Sequence, residues 1–172
     1  MNVLGLSGSL RAGSHNAKLL RAAGDLLPPE AELWLDGAHN PTAARAIADH
    51  FRGLDRPFHL IFGLLANKDA PGVLQPFRGR SLIVHTIPVP DHEHHAPADL
   101  AALARDAGLT AMTAAGVEDA LGWIARHADR GRPPIVLILD ATTHEFLGDN
   151  WGFTVVDIVD IVDIVDRVGQ RP

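Results

Sequence analysis

The sequence predicts a three-layer α/β/α sandwich built on a mostly parallel, doubly wound sheet of about six strands. Three observations carry that expectation. Short apolar runs alternate with helical segments, at 2–7, 33–36, 58–65, 81–89, 109–114 and 134–140. The run PIVLILDA at 134–141 is apolar almost throughout rather than alternating, as in a central strand covered on both faces. Polar turns follow the first three runs, and right-handed crossovers place the turns after residues 7, 36 and 65 on one edge of the sheet.

The whole chain sets outer bounds. Its 172 residues, 47% of them apolar, suit a single α/β domain over 1–172 with a real core. The net charge of −6, with arginines spread along the chain, argues against nucleic acid or an anionic membrane as the main partner. There is no cysteine, so there are no disulfides. No apolar run reaches transmembrane length, and Gly, Ser and Arg interrupt MNVLGLSGS too early for a secretory signal. The expected setting is cytoplasmic, or that of a recombinant product with no natural compartment.

In chain order, residues 2–7 read as a strand and SHNAKLLRAAGDLL at 14–27 as a helix with Ser14 as cap and Leu19, Leu20 and Ala23 inward. Small residues in the turn between them let the backbone approach a phosphate, and Ser9, Arg11, Ser14 and Asn16 offer hydroxyls, a charge and an amide. A Walker P-loop is excluded, because Ser14 stands where that motif needs lysine. The stretch GSLRAGSHNAKLLRAA resembles the first βα unit of NADPH-dependent FMN reductases, which are flavodoxin-like. That resemblance covers about the first 25 residues and implies that Ser9, Arg11, Ser14 and Asn16 hold the FMN phosphate. No later loop for the isoalloxazine ring is visible. The plain structural reading is a Gly/Ser turn that closes a βα unit.

The central stretch 32–69 organises the rest. Leu33, Trp34 and Leu35 form a short strand that stops at Asp36-Gly37. Pro41 suits a helix start, Ala43, Ala44, Ile47, Ala48 and Phe51 recur at helical spacing, and Gly53 closes the helix. A second apolar run, Phe58–Leu65, follows. The polar residues therefore stand at a strand's C-terminal end, where open parallel sheets bind ligands, next to a helix N-terminus that favours an anion. Asp36 can accept from a sugar hydroxyl; His39 and Asn40 can donate to a phosphate or carboxylate.

DGAHNP at 36–41, FGLLANKD at 62–69 and GVLQPF at 72–77 together resemble the C-terminal domain of folylpolyglutamate synthase/dihydrofolate synthase, of the Mur-ligase group of ATP-dependent amide ligases. The likeness continues through HTIPVPDHEHHAPADLAALARDAG and VEDALGWIARH and weakly through EFLGDN, spanning roughly Leu33–Asn150. It implies that Asp36 lies near the ATP ribose and that His39 and Asn40 lie near the phosphates or the incoming amino acid. It also implies that the loop of Asn67, Lys68 and Asp69 faces the cleft, with Asp more usual at position 67. The plain alternatives are that Asp36 caps the helix, that His39 is a surface residue, and that Lys68 and Asp69 are a solvated pair. After the strand at 134–140 the family's Gly-Ser-Leu turn is replaced by Asp140-Ala-Thr-Thr-His144, which puts amino-acid binding in doubt.

His92, His94 and His95 with Asp91 and Glu93 have the residue types of a zinc site, but the run is a proline-bounded loop without a second ligand group at motif spacing, so no metal site is assigned. Residues 97–108 and 117–131 read as helices, with Trp123 packing rather than stacking on a ligand. The tail, FTVVDIVDIVDIVDRVGQRP, spaces four aspartates (157, 160, 163, 166) three apart, which matches neither helix nor strand period and no EF-hand loop. It is a candidate surface for homodimer formation.

Three functional readings follow. The first is a chimeric or designed Rossmann-like domain, 1–32 flavodoxin-like, 33–150 ligase-like and 151–172 a repeat tail. It lacks a complete active site and at most binds a nucleotide or phosphate at the C-terminal edge of the sheet, so the balance leans away from an enzyme. The alternatives are an FMN-binding flavodoxin-like module through Ser9–Asn16, and an ATP-binding C-terminal domain of an amide ligase through Asp36, His39, Asn40 and Lys68. In the family a larger N-terminal domain carries the P-loop and magnesium ligands, and nothing in the chain resembles it.

Overall fold

The computed structural model of the protein describes residues 31–36, 38–53, 55–129 and 131–140. The predicted strand at 2–7, the helix at 14–27 and the Val-Asp-Ile tail lie outside these residues. The described chain runs β1 (Glu32–Asp36), α1 (Pro41–His50), β2 (Phe58–Gly63), α2 (Ala70–Leu74) with a 3-10 turn (Gln75–Phe77), β3 (Leu82–Thr86), α3 (Pro97–Asp106), β4 (Thr110–Thr113), α4 (Val117–His127) and β5 (Ile135–Asp140). All five strands pair in parallel in the order β1-β5-β2-β3-β4.

That order explains which helix lies where. The steps β1 to β2, β2 to β3 and β3 to β4 all advance in the same direction across the sheet, and right-handed crossovers then put α1, α2 and α3 on one face. The step from β4 to β5 runs back, which puts α4 on the other face. The core divides accordingly. Leu60, Phe62, Val84, Leu137 and Leu139 pack with Ala44, Ile47, Val73, Leu74, Phe77, Leu100 and Ala104 on the first face. Ile61, Ile87, Val136 and Ile138 pack with Ala120, Leu121 and Ile124 on the second. The sandwich expected from the run pattern is therefore present, with β2 buried along its whole length.

Sequence chemistry sets the joints. Gly53, Gly79 and Gly108 follow helices with φ near +80°, a conformation costly for residues with a Cβ. Thr86 ends β3 by donating its hydroxyl to Pro97 O at 2.8 Å, which ties the strand to the start of α3. Phe51 closes α1 against Phe58 and Trp34, with ring centroids 5.0 and 5.3 Å apart.

Candidate functional site

The C-terminal edge of the sheet carries the turns singled out by the sequence. At the end of β1, Asp36 Oδ1 accepts from Ala38 N–H at 2.7 Å. This Asx turn fixes the carboxylate at the strand end. Asp36 does not cap α1; Asn40 does, in extended conformation, with Oδ1 accepting from Ala43 N–H at 3.0 Å. With its oxygen engaged, Asn40 offers a ligand its amide NH2, the donor role expected of it. Pro41 takes the first helical position, and the first turn of α1 opens its N–H groups toward this edge.

The turn after β2 completes the wall. Asp69 is a helix cap rather than half of a solvated pair: its Oδ1 accepts from Gly72 N–H at 3.0 Å at the start of α2. The starts of α1 and α2 touch, since a Cβ on Gly72 would fall 2.7 Å from Pro41 Cγ. Lys68 precedes this cap, half-buried, while Asn67 is exposed. The Lys68 backbone is held at both groups: its N–H donates to Leu65 O at 3.0 Å and its carbonyl oxygen accepts from Ala70 N–H at 3.1 Å. Asp36, His39, Asn40 and Lys68 thus share one edge. Because β5 lies between β1 and β2, the two turns that carry them are set about 10 Å apart, two strand spacings.

The histidine loop braces this edge. Leu65 and His94 form an antiparallel bridge, Ala66 N–H donates to Glu93 O and His95 N–H to Leu64 O, each at 3.0 Å. His95 Nε2 lies 2.9 Å from Lys68 O and His94 Nδ1 lies 2.8 Å from His92 O. These imidazoles hold backbone carbonyls, and the loop they belong to pins the Lys68 turn from above. Gly63 lets the segment that leads from β3 to this loop pass close to β2: a Cβ there would stand 3.0 Å from Val89 Cγ2 and 3.2 Å from Ile87 Cγ1. Among the described residues no group of three metal-ligating side chains converges.

Two histidines that sequence reasoning passed over are buried under α4. His59 in β2 and His85 in β3 are 7% and 0% exposed, and His59 Nδ1 lies 3.1 Å from His85 Nε2. His85 Nδ1 is buried without a hydrogen-bond partner. Trp123 packs on both rings, and His127 stacks on its outer side at 4.0 Å. Burial pushes both imidazoles down to about 4; for His85 the neighbouring His59 adds to the fall and Asp119 opposes it. The signal was available in sequence: each lies inside an apolar run, FHLIFG and LIVHT, on a strand with no other polar ring.

The sequence-predicted phosphate group Ser9, Arg11, Ser14 and Asn16 lies outside the described residues, as does the Ala141–His144 turn. Among the described residues no helix is long and apolar enough to cross a membrane.

The comparisons with known proteins bear on the fold and the family. No curated protein matches the chain. Among solved structures, it is similar to the folylpolyglutamate synthase of Mycobacterium tuberculosis complexed with ADP and AMPPCP, at 20% identity and a TM-score of 0.56, over 69% of this chain and 30% of that one. It is likewise similar to the bifunctional folylpolyglutamate synthase/dihydrofolate synthase of Yersinia pestis, at 21% identity and a TM-score of 0.52, over 73% of this chain and 29% of that one. The chain thus spans under a third of the length of either structure. Likeness at this identity supports the fold. The family model for the Mur ligase, glutamate ligase domain matches residues 28–139, which begins after the FMN-reductase-like stretch and ends where the ligase pattern breaks. Neither that stretch nor a chimeric origin gains support from these matches, and the chain belongs to the Mur ligase glutamate ligase domain family.

Proposed function

We propose that this domain binds the phosphates and ribose of an adenine nucleotide at the C-terminal edge of its sheet and serves an ATP-dependent amide ligase as the half that closes over the nucleotide. The observation that supports this reading most is the pairing of two capped helix starts, at Asn40 and Asp69, with Asp36, His39 and Lys68 on one edge inside the family match. The ligand-bound relative, a folylpolyglutamate synthase complexed with ADP and AMPPCP, points the same way.

In this reading each group has a role suited to its chemistry. Asp36, oriented by Ala38 N–H, accepts from a ribose hydroxyl. His39, the Asn40 amide and the first turn of α1 receive phosphate oxygens, and the Lys68 ammonium offsets their charge from across β5. The magnesium site and the acceptor carboxylate belong to a second, larger domain, so the isolated chain binds nucleotide without turning it over.

The test is a thermal titration with ATP and magnesium, on the chain alone and mixed with the larger domain of a folylpolyglutamate synthase. A ligand that prefers the native state raises the melting temperature by mass action. A saturable rise that disappears in Asp36→Ala supports the reading. A sharp melt that ATP leaves unmoved, even with the larger domain present, sinks it.

A further inference from the structure

At the opposite edge of the sheet lies a cavity of about 600 Å³, a volume in the range of small-molecule sites. Its lining includes Phe58, Leu82, Thr110 and Ile135, which begin β2, β3, β4 and β5 or directly start their first turn of strand. It therefore opens at the N-terminal ends of the strands, away from Asp36 and Lys68. The edges of Phe51, Phe58 and Ile135, each 9% exposed or less, form its apolar floor, Ser81 and Thr110 add hydroxyls, and Asp55 adds a carboxylate at the rim that Arg132 holds.

Three arginines distant in sequence, Arg56, Arg80 and Arg132, meet at this cavity. Spread along the chain they make no basic cluster; the fold gathers them. Two are held in place. Arg56 pairs with Glu32 and donates Nε–H to Pro133 O at 3.0 Å. Arg132 donates to the carbonyl and carboxylate of Asp55 at 3.0 and 2.9 Å. Arg80 differs: half-buried, its guanidinium makes no hydrogen bond or ion pair among the described residues, and it feels the charge of Arg52 as well as that of Asp49. Burial and Arg52 lower its proton affinity, so an anion placed beside it would relieve an existing repulsion.

We propose that this cavity is a second ligand site, for a small organic anion that carries a phosphate or carboxylate on an apolar body. The guanidinium of Arg80 would take the charged oxygens as a planar fork, with Arg132 and the Ser81 and Thr110 hydroxyls beside it. The aromatic and aliphatic floor would cover the body. An inorganic anion would use the rim alone, and a neutral ring the floor alone, so both are needed for tight binding.

The experiment uses the full chain with phenyl phosphate, inorganic phosphate and phenol, followed by calorimetry and by amide shifts in NMR spectra. The expected result is saturable binding of phenyl phosphate that is stronger than either fragment, with shifts at Gly53, Ser81 and Thr110. Arg80→Gln weakens it about ten-fold or more, a change on the scale of one lost charge-assisted bond, while Arg80→Lys restores part of it and the melting temperature stays near that of the parent. Asp36→Ala leaves it unchanged, which separates this site from the nucleotide site. Binding that survives Arg80→Gln, shifts confined to the Asp36 edge, or no saturable binding by the full chain would each overturn the proposal.

Discussion

The two faces of the sheet are built by different rules. The face under α1, α2 and α3 is apolar from Phe58 to Leu139, with Leu60, Phe62, Val84, Leu74 and Phe77 fully buried. The face under α4 has a smaller apolar cluster, and beside it two imidazoles fill positions that could hold leucine. Phe62 and Ile61 are chain neighbours, yet one points into a redundant core and the other into a layer shared with His59 and His85. The difference teaches that the first face supplies bulk stability and the second sets conditions on it. One neutral–neutral contact joins the histidines, and His85 Nδ1 is left unsatisfied, a cost of about 1–3 kcal/mol in a buried site.

The largest expected effect tests the first face. Phe62→Ala removes a fully buried ring and should lower stability by about 3–5 kcal/mol; urea unfolding at pH 7 measures it. A loss under about 1 kcal/mol would mean that this layer is not the main core.

Acid should break the second face selectively. The unfolded chain takes up protons on His59 and His85 near pH 6.5, whereas the folded chain does so near 4. Between those values the unfolded state holds more protons, so stability is fully present above about 6.5, falls as the pH falls toward 4, and levels off below. The first proton costs roughly 3 kcal/mol across that window. Unfolding free energies measured from pH 8 to 4 check the slope, and Trp123, packed on both rings, should report it by fluorescence. The sharper version is the double replacement His59→Leu and His85→Leu. It should flatten this slope and leave stability at pH 7 unchanged or higher by about 1 kcal/mol, because both polar partners go together.

Smaller effects belong to the candidate site and the surface. Asn40→Ala removes the cap of α1 and should cost about 1 kcal/mol, together with weaker ATP binding in the titration described above. Arg52→Ala removes an exposed ion pair with Asp49 and should change stability by under about 0.5 kcal/mol, a control for both faces.

Element positions were legible in the sequence because they rest on local signals. Pro41 and Gly53 bracket α1, Pro97 and Gly108 bracket α3, and largely apolar runs marked β2, β3 and β5. Strand order was not legible. Nothing in PIVLILDA says that it inserts between β1 and β2, since that depends on where α4 returns the chain. The candidate site was half legible for the same reason. Asp36, Asn40 and Lys68 could be read as turn residues, and Asp69 as a cap is a local signal three residues before Gly72, whereas His95 against Lys68 O depends on loops meeting across β2 and β3. His59 and His85 needed the register, which sets Ile61 opposite His85 and leaves His59 one pleat away.

The central place of β5 has a consequence for how the chain is made. Among the described residues, β1 pairs with β5 alone, about a hundred positions later. A chain still emerging from the ribosome can zip β2, β3 and β4 as soon as each appears, since they are sequential neighbours. Until Ile135–Asp140 emerges, β2 presents an open edge and β1 has no strand of this set to join. Final closure is thus a long-range step, slow in loop-closure terms, and the nascent chain spends that interval with one edge of β2, a strand buried along its whole length in the finished fold, exposed to chaperones and to other copies of itself.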